Sequence, residues 1–103
     1  MIRLKKIVGI TACITGIAHT YLAAEALKEA GKSLNVDVKI ETHGAIGIEN
    51  KLSHHDIDES IGVIIASDIV IDEQRFINKK MIKVGTHEAI KHPKKLIKYF
   101  IED

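Results

Sequence analysis

Short apolar runs alternate along the chain with longer stretches in which apolar residues recur every three or four positions. Residues 7–10 and 62–66 are almost continuously apolar and β-branched, which predicts two buried strands. Residues 36–40 alternate apolar and polar side chains, which predicts a strand with one wet face at a sheet edge. Residues 81–85 predict a fourth strand.

The longest helical pattern runs from Ile17 to about Ser33. Its apolar positions fall at three- and four-residue steps and make one continuous face. They are Ile17, Tyr21, Ala24, Leu27 and Ala30. Gly31 lies near the end of this pattern, where a left-handed cap is often needed.

Three shorter helices carry recognisable start signals. Ser53 followed by Asp56 matches a capping box, which predicts a short helix ending near Ser60. Thr86 is predicted to cap a helix reaching about residue 91. Pro93 suits the first turn of a last helix reaching about residue 102.

Alternation of strands and helices indicates an α/β fold. We predict a single three-layer domain over residues 1–103, a four-stranded parallel sheet with helices on both faces. Residues 42–51, which include Gly44 and Gly47, read as a loop. Ligands of such sheets bind outside the carboxyl ends of the strands, where the Cys13 loop, the Gly44 loop and the segment after Ala66 should meet.

Composition removes several classes of function. The chain has 103 residues, 46% of them hydrophobic, and a net charge of +1, so nucleic-acid binding has little support. No apolar run is long enough to span a bilayer. A single cysteine and no signal-peptide core indicate a cytoplasmic protein without disulfides. Apart from His19, the five other histidines form no metal-ligand pattern, and no G-x-G-x-x-G or G-K-[ST] motif supports a nucleotide, so no metal or cofactor is predicted.

The segment after the first strand is the main candidate for chemistry. Cys13 precedes a helix start, where unpaired N–H groups and the helix dipole favour thiolate and bind anions. Gly16 allows close backbone approach, and Thr15 and Thr20 add hydroxyl donors. A buried structural thiol is the alternative for Cys13. For His19, contact with a bound anion and capping of its own helix both remain open.

The spacing invites comparison with low-molecular-weight tyrosine phosphatases, whose loop reads C-x-x-x-x-x-R-[ST] at the same topological place. Here His19 stands where that arginine would be, and Thr20 follows it. Histidine does not reproduce the bidentate arginine fork. No Asp-Pro pair supplies a general acid, so the loop is better suited to accept a phosphoryl group than to hydrolyse it.

The segment from Gly9 to Thr20, GITACITGIAHT, resembles the cysteine loop of fructose-type enzyme IIB domains of the bacterial phosphotransferase sugar-uptake system. Those domains usually read C-P-T-G-[IV]-A-H-T. The resemblance continues through residues 23–27, 41–44, 47–50, 66–69 and 75–76. Ile14 replaces the family's proline, His43 replaces a glutamine, and residues 78–80 depart from a G-K-P segment. Arg75 and Phe76 fit either a partner contact or local packing.

The resemblance implies a defined reaction and a Rossmann-like fold related to the phosphatase topology. Cys13 would accept a phosphoryl group from a phosphohistidine on a IIA protein and pass it to a fructose-type sugar at the membrane IIC component. The backbone cradle would comprise Ile14, Thr15, Gly16, Ile17, Ala18, His19 and Thr20, with His43 and Gly44 at its edge. The chain would act in the cytoplasm, docked on IIC. A cysteine-based phosphatase and a non-catalytic regulatory phosphoprotein remain alternatives.

Overall fold

Five strands form one mixed sheet. The computed structural model describes residues 4–102, so Met1–Arg3 and Asp103 of the predicted domain lie outside the described residues. The strands are β1 (Lys5–Ala12), β2 (Val36–Gly44), β3 (Gly47–Glu49), β4 (Gly62–Ser67) and β5 (Met81–Val84). Their order across the sheet is β3-β2-β1-β4-β5, and every pairing is parallel except that of β2 with β3.

Helices cover both faces of this sheet, as the sequence predicts. They are α1 (Ala18–Ser33), α2 (His54–Glu59), α3 (Thr86–Lys91) and α4 (Pro93–Ile101), with a 3₁₀ turn at Gln74–Phe76. One apolar core joins α1, α3 and α4 to the sheet, and a second core on the opposite face includes Leu52, Ile57 and Phe76. The predicted three-layer α/β class is therefore confirmed. Within residues 4–102, no helix combines the length and hydrophobicity needed to cross a membrane.

The predicted number of strands is wrong, because the predicted loop at 42–51 contains the end of β2 and all of β3. These strands form a hairpin that pairs Thr42 with Glu49 and Gly44 with Gly47. Gly47 takes a φ of 117°, a value that favours glycine. All three residues of β3 are exposed, so no buried alternation marks it in the sequence. β2 therefore remains at the sheet edge only over residues 36–41, as predicted for residues 36–40.

Helix α1 ends at Ser33 as predicted, but its start and the role of Gly31 differ from the prediction. It begins at Ala18, and Ile17 and Tyr21 stay 59% and 37% exposed, while the other three predicted apolar positions are buried. Gly31 lies inside the helix, where a Cβ would come 2.9 Å from the carbonyl oxygen of Val36. The left-handed residue after the helix is Asn35, with a φ of 57°. Gly31 therefore serves close packing on β2 and not helix termination.

The structure confirms the predicted capping box of α2 but not the predicted cap of α3. The Ser53–Asp56 capping box is confirmed, with the Asp56 N–H donating to Ser53 Oγ at 3.0 Å and the Ser53 N–H to Asp56 Oδ2 at 2.9 Å. In α3 the N-cap is Gly85, and Thr86 is the first helical residue. Its N–H and hydroxyl donate to the Asp68 carboxylate at 2.9 and 2.7 Å. The prediction that Thr86 caps this helix is therefore wrong, and the carboxylate of Asp68, the residue after β4, accepts the hydrogen bonds at the helix start instead.

Candidate active site

Cys13 lies just beyond the carboxyl end of β1, where the chain turns into α1. The turn is closed by a hydrogen bond from the Gly16 N–H to the Cys13 carbonyl oxygen at 3.1 Å. The N-cap residue, Ile17, gives the helix no side-chain acceptor, and the first turn carries no acidic residue. The start of α1 therefore offers backbone donors and positive dipole potential to an anion on Cys13.

The surroundings of Cys13 favour its thiolate. The side chain is 5% exposed, and the Thr20 hydroxyl donates to Sγ at 3.0 Å while Thr15 Oγ1 lies 3.6 Å from it. Burial alone would raise the pKa of Cys13. Hydrogen bonds from Thr20, Thr15 and the backbone of Ile17 outweigh burial and lower the pKa from 9.0 to about 6. At neutral pH the thiol is therefore mostly ionised and nucleophilic.

The predicted cradle residues occupy three different positions. Ile14, Thr15 and Gly16 line a shallow depression of about 300 Å³ together with Cys13. Thr20 is fully buried beneath the thiol. Ile17, Ala18 and His19 are exposed and do not line this depression.

His19 interacts electrostatically with Asp68 and does not line the cysteine pocket. Hydrogen bonds from Thr86 chiefly lower the pKa of Asp68, and positive charge on His19 and His87 lowers it further. No hydrogen bond joins His19 to Cys13 within residues 4–102. The helix-capping alternative also lacks support, because the N-cap has no side-chain hydrogen bond.

The hairpin loop and the cysteine loop touch through two glycines. The Ala45 N–H donates to the Gly16 carbonyl oxygen at 2.8 Å, and Gly16 has a φ of 69°. A Cβ on Gly16 would come 2.6 Å from the Ala45 nitrogen, and one on Gly44 would collide with the Tyr21 hydroxyl. The absence of a side chain at Gly44 therefore lets the two loops approach, whereas nothing lies within 4 Å of such an atom on Gly47.

Residues from three segments meet at the depression, as the carboxyl-edge argument predicts. Beyond the cysteine loop, its lining comprises His43, Gly44, Ala45, Gly47, Ile48 and Ile69. Ile14 is 84% exposed, Ile46 82%, Ile48 54% and Ile69 44%. Three of these isoleucines, Ile14, Ile48 and Ile69, line the depression and give the buried thiol an exposed apolar rim. The sequence indicated the segment after Ala66 but not Ile69 itself.

A buried ion pair under the rim is the feature that sequence reasoning missed. Glu41 is fully buried, and Arg75 donates to both of its carboxylate oxygens at 3.0 and 2.7 Å. The Leu52 N–H also donates to Glu41 at 2.9 Å, and His43 Nε2 contacts Oε2. Burial raises the pKa of Glu41, but bonds from Arg75, His43 and Leu52 outweigh it and lower the pKa to about 2. Arg75 thus packs locally, which decides between its two interpretations.

Comparison with known proteins agrees with this arrangement. The family described as PTS system, lactose/cellobiose specific IIB subunit, matches residues 8–99. The chain is 46% identical over 87 residues to the fructose-like EIIB component 2 of Escherichia coli strain K12, covering 84% of this chain and 82% of that protein. It is 44% identical over 92 residues to the fructose-specific EIIABC component of Bacillus subtilis, covering 89% of this chain but only 14% of that longer protein.

A solved structure shows the same fold. A domain of the fructose-specific IIABC component of Borrelia burgdorferi superposes with a TM-score of 0.90 at 43% identity, covering 93% of this chain and 92% of that one. The family match over most of the chain, the relatives and this structure all lead to one assignment: the chain belongs to the PTS IIB family.

Proposed function

We propose that the chain is the IIB component of a fructose-type phosphotransferase system and that Cys13 carries its phosphoryl group. The observation that carries the proposal is the position of the Cys13 thiol, which accepts a hydrogen bond from the Thr20 hydroxyl and lies just before α1 beside an open depression. A thiolate is the form that attacks phosphorus, and helix-start N–H groups suit phosphoryl oxygens. The fructose-type relatives at 44% and 46% identity support the sugar class.

The reaction has two steps. Cys13 thiolate attacks the phosphorus of a phosphohistidine on a IIA protein, forming the S–P bond as the N–P bond breaks and its electron pair returns to the donor ring. A sugar hydroxyl held by the IIC component then attacks, so that the S–P electron pair returns to Cys13 and the hydroxyl proton passes to a base on the acceptor side. Positioning and charge stabilisation supply most of such catalysis.

Docking at the apolar rim is the proposed means of both transfers. Exposed side chains of Ile14, Ile48 and Ile69 line the depression beside Cys13, and a partner that covers them would exclude water from the transferring group. Relatives named EIIABC support IIA and IIC components as these partners. The chain would then act at the cytoplasmic face of the membrane, docked on IIC during sugar transfer.

The phosphatase alternative has less support. Phosphatases with this loop spacing clamp phosphate with an arginine, and here position 19 is histidine. Arg75 is held by both oxygens of Glu41, so it is not free to serve the loop from elsewhere. Without such a clamp, hydrolysis of the phosphocysteine should be slow, as a relay requires.

Phosphorylation of Cys13 by a IIA donor tests the proposal. The chain is incubated with a phosphorylated IIA domain of a fructose-specific relative, and its intact mass is measured with that of Cys13→Ala. We expect the wild type to gain one phosphoryl group and the variant none. An unmodified wild type with several fructose-type IIA donors would refute the proposal. Sugar class is tested by offering fructose and cellobiose to the loaded protein with the matching membrane component.

A further inference from the structure

The cysteine loop offers backbone donors to a phosphoryl group on Cys13 but no positively charged side chain. Residues 13–18 and Thr20 are uncharged apart from the thiolate, and the phosphorylated side chain would carry close to two negative charges. Among the ten residues that line the depression, His43 is the one whose side chain can become positively charged. His19, which belongs to the predicted cradle, is exposed and does not line the depression.

His43 is held at this edge by the strand register and by a buried carboxylate. Its Cα is paired with that of Ala12, the residue before Cys13. Its ring contacts Glu41 through Nε2, while Arg75 and the Leu52 N–H fix the same carboxylate. The side chain of His43 remains 23% exposed. Glu41 therefore holds the His43 ring in place, and the partly exposed ring lines the depression.

The proton on Nε2 follows from the ionised state of Glu41. Because the pKa of Glu41 is lowered to about 2, its carboxylate can only accept hydrogen bonds at neutral pH. His43 Nε2 must then be the donor, which leaves Nδ1 as the second ring nitrogen. Nδ1 has no hydrogen-bond partner among the described residues. A protonated ring would present Nδ1–H as a charged donor.

We propose that the His43 imidazolium, oriented by Glu41, donates a hydrogen bond to the phosphoryl group on Cys13 and supplies the positive charge that an arginine supplies in phosphatase loops. The inference rests on the proposed function and deepens it. Arg75 and Glu41 act through His43 and are positioning residues. A single N–H donor from imidazolium balances charge without the bidentate fork, so the group is stabilised but stays transferable.

The first test compares the equilibrium between phosphorylated IIA and Cys13 in wild type, His43→Leu and His43→Gln. Charge-assisted hydrogen bonds are worth enough to change an equilibrium by about 10- to 100-fold. We expect His43→Leu to lower the phosphocysteine equilibrium constant by that factor, with His43→Gln between it and wild type because an amide donates without charge. His54→Leu is the matched control, because His54 is an exposed histidine on α2 that does not line the depression, and this variant should behave as wild type.

The outcomes separate this inference from the proposed function. A wild type that is never phosphorylated refutes both, whereas phosphorylation of His43→Leu to the wild-type level refutes only the role of His43. Ring nitrogen NMR of the wild type covers the case in which His43→Leu does not fold. We expect both ring nitrogens of His43 to be protonated in the phosphorylated protein near neutral pH. A neutral ring in that protein would overturn the inference.

Discussion

The hydrogen bond from Thr20 to Cys13 should set much of the reactivity of the thiol, and Thr20→Val tests this. Valine keeps the shape of the fully buried side chain and removes the hydroxyl that lies 3.0 Å from Sγ. Hydrogen bonds to charged groups are worth about 1.5 to 3 kcal/mol, and one pKa unit corresponds to about 1.4 kcal/mol. We therefore expect the pKa of Cys13 to rise from about 6 to about 7 or 8.

The assay is the pH dependence of alkylation by iodoacetamide, which reacts with the thiolate. At pH 7 the wild-type thiol is about nine-tenths ionised, and the variant should be about one-tenth to one-half ionised. Thr15→Val is the matched control, because Thr15 Oγ1 lies farther from Sγ, at 3.6 Å, and should give the smaller change. If Thr20→Val titrated like the wild type while remaining folded, the hydrogen-bond explanation of the lowered pKa would be wrong.

Three further predictions concern the fold around the site. Arg75→Met should lower the free energy of unfolding by about 2 to 3 kcal/mol, because it leaves the buried Glu41 carboxylate without its main partner. In wild type, the stability from Glu41 is present above its ordinary pKa of 4.5 and is lost as pH falls through its folded value of about 2. Urea unfolding between these two pH values should show that the stability of Arg75→Met depends less on pH than that of the wild type. The same pH dependence in both proteins would contradict the pairing of Arg75 with Glu41. Gly16→Ala should lower the free energy of unfolding by about 1 to 2 kcal/mol because alanine must adopt a left-handed backbone conformation. It should lower it further because the new Cβ would collide with the hairpin loop. Gly47 also has a positive φ, but a Cβ there would meet open space, so Gly47→Ala should lower the stability measured by thermal unfolding less than Gly16→Ala does. Equal losses of stability would argue against the loop contact. Ser53→Ala should cost about 1 kcal/mol in urea unfolding through loss of the α2 cap and leave the alkylation profile of the thiol unchanged; undiminished stability would show that the cap is dispensable.

Local patterns predicted the parts of the fold that depend on local physics. Continuous apolar runs identified β1 and β4, which are buried on both faces, and the Ser53 pattern identified the start of α2. The hairpin strand β3 escaped prediction because its three exposed residues carry no burial signal. Gly31 was misread because its reason is tertiary: β2 lies too close to α1 for any side chain there.

The same distinction applies to the candidate site. Cys13 and Thr20 could be selected from sequence because a strand leading into a helix start brings them together within eight residues. The pair of Glu41 and Arg75 joins residues 34 positions apart on different elements, and one sequence holds no signal for such a pairing. The role proposed for His43 depends on that pair, so the sequence could indicate its position at the site edge but not what orients it.

A phosphoryl chase tests the central claim most directly. The chain is loaded from phosphorylated IIA with radiolabelled phosphate, separated from the donor, and mixed with fructose and vesicles that hold the matching IIC component. The relay account predicts that the label leaves Cys13 and appears on the sugar, with little free phosphate and no loading of Cys13→Ala. Label released mainly as inorganic phosphate would indicate a phosphatase, and label retained on the protein would indicate a regulatory phosphoprotein. Either result would contradict the account.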